Sequence, residues 1–504
     1  MAGRRAFSVL ASSLVGLLLV LVLGSGRGDR TVDMAPAAAP PANPAAVPLG
    51  NPGSGPRNVV VILTDDQPER TLAGMPHLQS DLVAKGVTFT NAVVSNPLCC
   101  PSRATLLTGL YAHETGVWDN SARYGGWSHF VPWEPFTIAV RLHDAGYTTA
   151  FLGKYVNGYG VESNPPVPPG WDRWFAFVPS GAANYFDYTL NVDGTLQRRG
   201  HEPEDYSTDV LAAEAERFIR GADGPFFLVI ATYAPHQPFV AAPRHAGAPV
   251  AVELGPAYNE ADMSDKPRWA RRLQPVHAEA QAVAQVQMLM AVDDLVGRVT
   301  RALEERGRLA DTAVIYTSDN GLAWGEHRWL WKSAPWEESI GVPLVVRADG
   351  VTARGHNGDL VANTDIAPTI AELAGLPPLP ADGRSLAPLL RGERPLEWRT
   401  YVTLESLRFR PSRAPLAQIP SYCGLRARSL TYVQYATGEE ELYDLRADPW
   451  QLQNLAVEPE EAGRIRRLRR AALERCRPLP PLPEGWRLLR PRKDIAGPGA
   501  PPRT

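Results

Sequence analysis

Two adjacent carboxylates, Asp65-Asp66, follow one apolar run, and a second pair of oxygen donors, Asp319-Asn320, follows another. Neighbouring carboxylates repel each other unless a cation holds them together. Alone, each pair reads as an ordinary turn or helix cap, the commoner role of Asp and of Asn-Gly. Together they make an all-oxygen set that suits one hard cation, calcium or less readily magnesium, and not zinc. Between them lies Cys99-Cys100-Pro101-Ser102-Arg103, running on to Leu107-Thr108-Gly109. Its bland reading is a buried thiol at a helix start, with Pro101 in the first turn. The 504-residue chain has a formal net charge of −3, so nothing global attracts nucleic acid or an anionic membrane. Any anionic substrate must meet local cations. Lys154 is the least surface-like lysine, standing directly after Ala150-Phe151-Leu152-Gly153.

Cys99-x-Pro101-x-Arg103, with its Leu-Thr-Gly ending, resembles the signature of type I formylglycine-dependent sulfatases. In that family the first cysteine is oxidised enzymatically to an aldehyde, so by register Cys99 is the modified residue and Cys100 fills a variable position. Gly153-Lys154-Tyr155, after Gly146-Tyr147-Thr148-Thr149, resembles the second signature. Ala234-Pro235-His236-Gln237-Pro238-Phe239 resembles the histidine loop. Gly325-Glu326-His327-Arg328, with Lys332 and Glu337-Glu338, resembles the segment that presents the second substrate lysine. The chain is most similar to the N-acetylglucosamine-6-sulfatases and extracellular glucosaminyl sulfatases, through Cys-Cys-Pro-Ser-Arg, Gly-Lys-Tyr-x-Asn and the positions of Cys423 and Cys476. Many sulfatases carry a histidine two residues after the lysine; this chain has Val156, then Asn157.

The resemblance implies hydrolysis of sulfate esters, with 6-O-sulfated N-acetylglucosamine or a similar sulfated glycan as substrate. A hydrated aldehyde at position 99 offers two geminal hydroxyls. One attacks sulfur, giving a covalent sulfo-enzyme, and deprotonation of the other expels sulfate. Asp65, Asp66, Asp319 and Asn320, with an oxygen derived from Cys99, would hold one calcium ion. Arg103, Lys154 and Lys332 would neutralise the sulfate oxygens, and His236 or Lys332 would protonate the leaving alcohol. Lys154, Asn157, His236 and Lys332 would contact substrate, and a formylglycine-generating enzyme is the implied partner. An aryl sulfatase is the nearest alternative. A phosphoesterase of the same superfamily would be expected to use Ser or Thr and metal-binding histidines. A non-catalytic glycan-binding protein would be expected to have lost the cysteine or a metal ligand.

Apolar runs at 58–64, 225–232, 313–317 and 342–346 are rich in Val, Ile or Phe and short enough for buried strands. Helical patterns at 284–306 and 365–374 lie between or after them. This alternation predicts an α/β fold with a large, parallel or mixed central sheet, and the resemblance makes it alkaline-phosphatase-like. In such sheets the ligand site lies beyond the carboxyl ends of the strands, which selects Asp65-Asp66, His236 and Asp319-Asn320. The aromatic set Trp324, Trp329, Trp331 and Trp336 reads equally well as sugar subsite or as core. His113, His129 and His245 have no comparable context and read as structural or surface residues.

Arg4-Arg5, the apolar run 14–23 and the small residues after it read as a signal peptide over 1–28, with a weak similarity to a twin-arginine signal. Left uncleaved, the same segment would tether the protein to a membrane; otherwise the protein is secreted and has no stable membrane partner. Residues 29–56 read as an Ala/Pro-rich linker, 57–392 as the catalytic domain, 393–485 as a small α+β domain and 486–504 as a Pro/Arg-rich tail. In the small domain, strand-like pieces at 401–404, 430–435 and 441–444 precede a basic helical stretch at 461–476. In an exported protein Cys423 and Cys476, at the positions matched in the resembling subgroup, are expected to form a disulfide.

Overall fold

The seven residues of β1, Asn58–Thr64, are all buried, as their β-branched side chains require of a strand covered on both faces. Their side chains alternate between two cores: Val59, Val61 and Leu63 enter one, Val60 and Ile62 the other. The computed structural model describes residues 58–181, 183–407 and 419–476. The signal, linker and tail assigned to 1–28, 29–56 and 486–504 lie outside these residues, as does the end of the small domain.

β1 stands in a ten-stranded sheet with β2 (Val87–Phe89), β4 (Thr148–Gly153), β5 (Arg173–Val178), β6 (Thr189–Val192), β7 (Thr195–Arg198), β8 (Phe226–Ala231), β9 (Thr312–Ser318), β10 (Leu344–Ala348) and β11 (Gly355–Asn357). The order is β11-β2-β10-β9-β1-β8-β4-β5-β6-β7, and a separate pair joins β3 (Ala92–Val93) to β12 (Val361–Ala362). β9, β1, β8 and β4 are adjacent and parallel, so four carboxyl ends open side by side. The run expected at 342–346 forms β10 instead at Leu344–Ala348, antiparallel to β9, which makes the sheet mixed.

Helices cover both faces. Ser207–Gly221 and Glu279–Glu305 pack on one side, Cys99–Thr108 and Ile366–Leu373 on the other. The long helix starts at Glu279, five residues before its predicted start. No helix among the described residues is long and apolar enough to cross a membrane.

A second sheet, all antiparallel, runs β13 (Val402–Ser406), β14 (Tyr422–Ala427), β15 (Leu430–Tyr435), β16 (Glu440–Asp444), and the Ala462–Arg475 helix covers one face of it. β14 was not anticipated; its Gly-Leu-Arg centre breaks the apolar run. Cys423 on β14 and Cys476 at the helix end are disulfide-bonded, 53 residues apart. The other face of this sheet packs into the main body: Val402, Tyr422 and Tyr435 share a cluster with Val93, Trp329 and Trp336.

Candidate active site

Asp65 and Asp66 leave the end of β1, where successive side chains would point to opposite sides of the sheet. Asp66 adopts a left-handed conformation (φ 66°), tolerated by Asp, and the turn brings both carboxylates into one pocket. Asp319 leaves the end of β9 next door, and its carboxylate accepts the Asp66 N–H at 3.3 Å. Asp65, Asp66 and Asp319 are all buried, with carboxylate oxygens within 4.8 Å of one another. Asn320 donates from Nδ2 to Asp66 at 2.6 Å, leaving its own Oδ1 buried without a hydrogen-bond partner. Three carboxylates and an orphaned amide oxygen fit a hard divalent cation, and they are the residues that would hold it.

Cys99 opens a wholly buried ten-residue helix whose positive N-terminal end faces the pocket. Arg103 is one turn further along the same face, so the i, i+4 spacing of the motif places both side chains in the site. Arg103 Nε donates to Asp319 at 2.8 Å and its Nη1 to the Lys154 carbonyl at 2.6 Å. Its Nη2 is buried without a hydrogen-bond partner, 3.7 Å from Asp65. Gly109 ends the helix at φ 76°, which is why the motif closes on glycine.

Lys154 follows β4. Gly153 before it (φ 108°) has no room for a side chain, since a Cβ would sit 2.0 Å from the Ala231 carbonyl oxygen. The chain thus stays tight against β8 while Lys154 Nζ pairs with Asp65. Lys332 arrives from the loop after β9; it pairs with Asp66, and its Nζ is 2.8 Å from Cys99 Sγ. Cys99 Sγ in turn lies 3.5 Å from Asp65. His236, after β8, brings Nε2 to 3.7 Å from Asp66 at the more open side of the pocket.

The electrostatics follow from burial and this packing. Burial alone would raise the Asp65 carboxyl, but Lys154, His236, Arg103 and Lys332 hold it far below the usual range. Asp319 is pushed up to about 6, first by burial and then by Asp65. The Cys99 thiol is pushed up to about 12 by burial and by Asp65. An unmodified thiol here stays protonated at neutral pH and is a weak nucleophile. Burial lowers His236, with Asp65 and Asp66 pulling the other way.

All nine of these residues were named from the sequence, and the fold brings them together. Asn157 stands apart. Its carbonyl accepts from Trp127 at 2.7 Å, and a Cβ on Gly181 would be 2.6 Å from its Nδ2. Val156 is fully buried in the main core, so it puts nothing into the pocket. Trp324, Trp329 and Trp336 are buried core residues, and only Trp331 is half-exposed. Three supports were missed. Asn120 accepts from the Cys100 N–H at 2.9 Å, Gln285 donates to the Pro235 carbonyl at 3.0 Å, and Tyr185 donates to the His236 carbonyl at 2.5 Å. Gln285 carried a signal, a polar residue on the buried face of an amphipathic helix; the other two had none.

The sulfatase family profile matches residues 57–376, and the C-terminal profile of N-sulphoglucosamine sulphohydrolase matches 325–477. N-acetylglucosamine-6-sulfatase of Homo sapiens is 34% identical over 461 residues, covering 81% of this chain and 83% of that protein. A putative extracellular sulfatase of Caenorhabditis elegans is 36% identical over 353 residues, covering 66% of this chain and 49% of that protein. A solved structure of a protein in complex with its substrate D-glucosamine-2-N,6-O-disulfate superposes with a TM-score of 0.72 at 24% identity, covering 84% and 97% of the two chains. The chain belongs to the sulfatase family and is a sulfuric ester hydrolase.

Proposed function

We propose that this sulfatase removes the 6-O-sulfate of N-acetylglucosamine, or of a similar sulfated sugar within a glycan, using formylglycine formed from Cys99. The observation that carries the reading is the meeting of Lys332 Nζ and Asp65 on the Cys99 side chain, inside one buried cluster of carboxylates and cations. The 34% identity to N-acetylglucosamine-6-sulfatases supports the choice of sugar. Once formed, formylglycine supplies two geminal hydroxyls, one to attack sulfur and one to expel sulfate. Calcium held by Asp65, Asp66, Asp319 and Asn320 would supply a positive charge that favours the ionised hydroxyl.

The chain's own residues do the rest. The orphaned Arg103 Nη2, Lys154 and Lys332 face the sulfate oxygens and stabilise the charge that grows on them. His236 or Lys332 gives a proton to the leaving sugar oxygen, and burial, which lowers the His236 pKa, makes its protonated form the readier donor. Asn157 stands outside this cluster, three residues beyond Lys154, and would contact the sugar from there. Catalysis lies in 57–392, and 393–485 supports it. Export through the N-terminal segment fits both the disulfide and the relatives named as extracellular sulfatases.

The test is hydrolysis of N-acetylglucosamine-6-sulfate beside an aryl sulfate and the matching aryl phosphate, with peptide mass analysis of residue 99. The reading expects the sugar sulfate to be preferred and the 99-containing peptide to carry an aldehyde. Preference for the aryl sulfate would move the assignment to an aryl sulfatase; preference for the phosphate would sink it.

A further inference from the structure

Two clefts of about 440 and 320 Å3 share Gly358 and Arg428 as a common wall. β2 and β11 run in the same direction as β9, so Thr90-Asn91 and Asn357-Gly358 leave the sheet at the edge that also presents Asp319. β2 lies two strands from β9 and β11 three, which is about 10 and 14 Å at the usual strand spacing. A single short segment spans the gap. Lys332 reaches Cys99 at one end, and Glu337 lines the nearer cleft at the other, where both its oxygens accept from Arg426 at 2.8 Å.

The walls carry Arg394, Arg428, Arg446 and His356, all exposed, in a chain whose net charge is −3. Arg394 and Arg446 have no carboxylate partner among the described residues. Arg428 reaches Asp359 only at 3.7 Å, with its side chain 66% exposed. Thr90, Asn91, Asn357 and Ser429 add hydroxyls and amides between the cations. Three carboxylates share these walls, but Glu337 is held by Arg426, Glu393 by Arg391, and Asp359 faces Arg428, which leaves Arg394 and Arg446 to meet a sugar chain bearing anionic substituents.

We propose that these clefts bind the anionic glycan chain beyond the sugar that loses its sulfate, so that the enzyme engages an oligosaccharide and not one sugar at a time. The inference rests on the sulfated-glycan reading and extends it from the reacting sugar to its neighbours. The 332–337 segment, buried from Lys332 to Trp336, fixes the spacing between clefts and pocket, so a chain that reaches both must cross the surface above it.

The experiment compares full-length enzyme with an Arg394→Glu/Arg446→Glu variant on N-acetylglucosamine-6-sulfate and on sulfated oligosaccharides of increasing length. KM for the long substrates is expected to rise about ten-fold, with the single sugar unaffected, since each lost contact is a charge-assisted hydrogen bond. Arg466→Glu/Arg467→Glu, on the exposed face of the C-terminal helix, controls for net charge and should leave every KM unchanged. Equal effects on long and short substrates, no effect on either, or the same loss in the control would each overturn the proposal. Wild-type enzyme that hydrolyses none of these sugars would instead overturn the reading on which it rests.

Discussion

The two adjacent thiols at residues 99 and 100 differ in what surrounds them. Cys100 is fully buried in the main apolar core, its N–H held by Asn120 and its thiol pushed up to about 12 chiefly by burial. Cys99 faces Lys332 and Asp65. Cys99→Ala should therefore lower kcat by at least about a thousand-fold. Cys100→Ala should leave most of the activity and lower Tm through the small cavity it opens; a dead Cys100→Ala enzyme with formylglycine still at 99 would reverse the assignment. Asp319→Asn should leave the secondary structure by circular dichroism intact while bound metal, measured by mass spectrometry, falls from one ion per chain to none and activity falls with it. Retention of both would remove Asp319 from the metal set. The sequence made these residues visible because each ends an apolar run or sits at fixed spacing from another. Asn120 and Tyr185 act only through contacts between separate segments, which no local pattern encodes.

At the level of elements, contacts join the segment after the Cys99 helix to the small sheet. His113, shortly after the Cys99 helix, sets Nδ1 2.8 Å from the Glu405 carboxylate on β13. Burial works against its charge, but Glu405, then Glu114 and Asp382, outweigh it and raise its pKa. A raised folded-state pKa stabilises fully below the unfolded value of about 6.5, and the gain disappears as pH rises through the folded value. The Tm gap between wild type and His113→Gln should thus be widest at about pH 6 and narrow towards alkaline pH; a gap that widens with pH would contradict the pairing. On sequence alone His113 reads as structural or surface, because its partner Glu405 lies almost 300 residues on. The disulfide acts on the same small sheet. Joining residues 53 apart should stabilise by about 4 kcal/mol in the chain-entropy picture. Reduction should lower Tm in a calorimetric scan and barely change kcat on a small substrate at room temperature, since neither cysteine touches the pocket.

For the whole molecule, the change of texture after residue 392 marks a change of sheet, but the cores are not separate. Trp329 and Trp336, on the loop that carries Lys332, are covered by Val402, Tyr422 and Tyr435 of the small sheet. Those tryptophans read equally well as a sugar platform, because aromatic spacing alone does not say what lies opposite. Arg426 on β14 holds Glu337 with two hydrogen bonds, and β13 accepts no gap at Ser95, whose carbonyl bonds the Glu405 N–H at 2.9 Å. Removing the small sheet would therefore uncover large apolar surface and release Trp329, Trp336 and Glu337, which flank Lys332, at once. A chain ending at residue 392 should show no cooperative thermal transition and no sulfatase activity, even with formylglycine in place, because the large apolar surface left open outweighs the few kcal/mol by which a domain is stable. A soluble fragment that unfolds cooperatively and still hydrolyses a small sulfate ester would show that the catalytic body folds alone and that the shared cluster is dispensable.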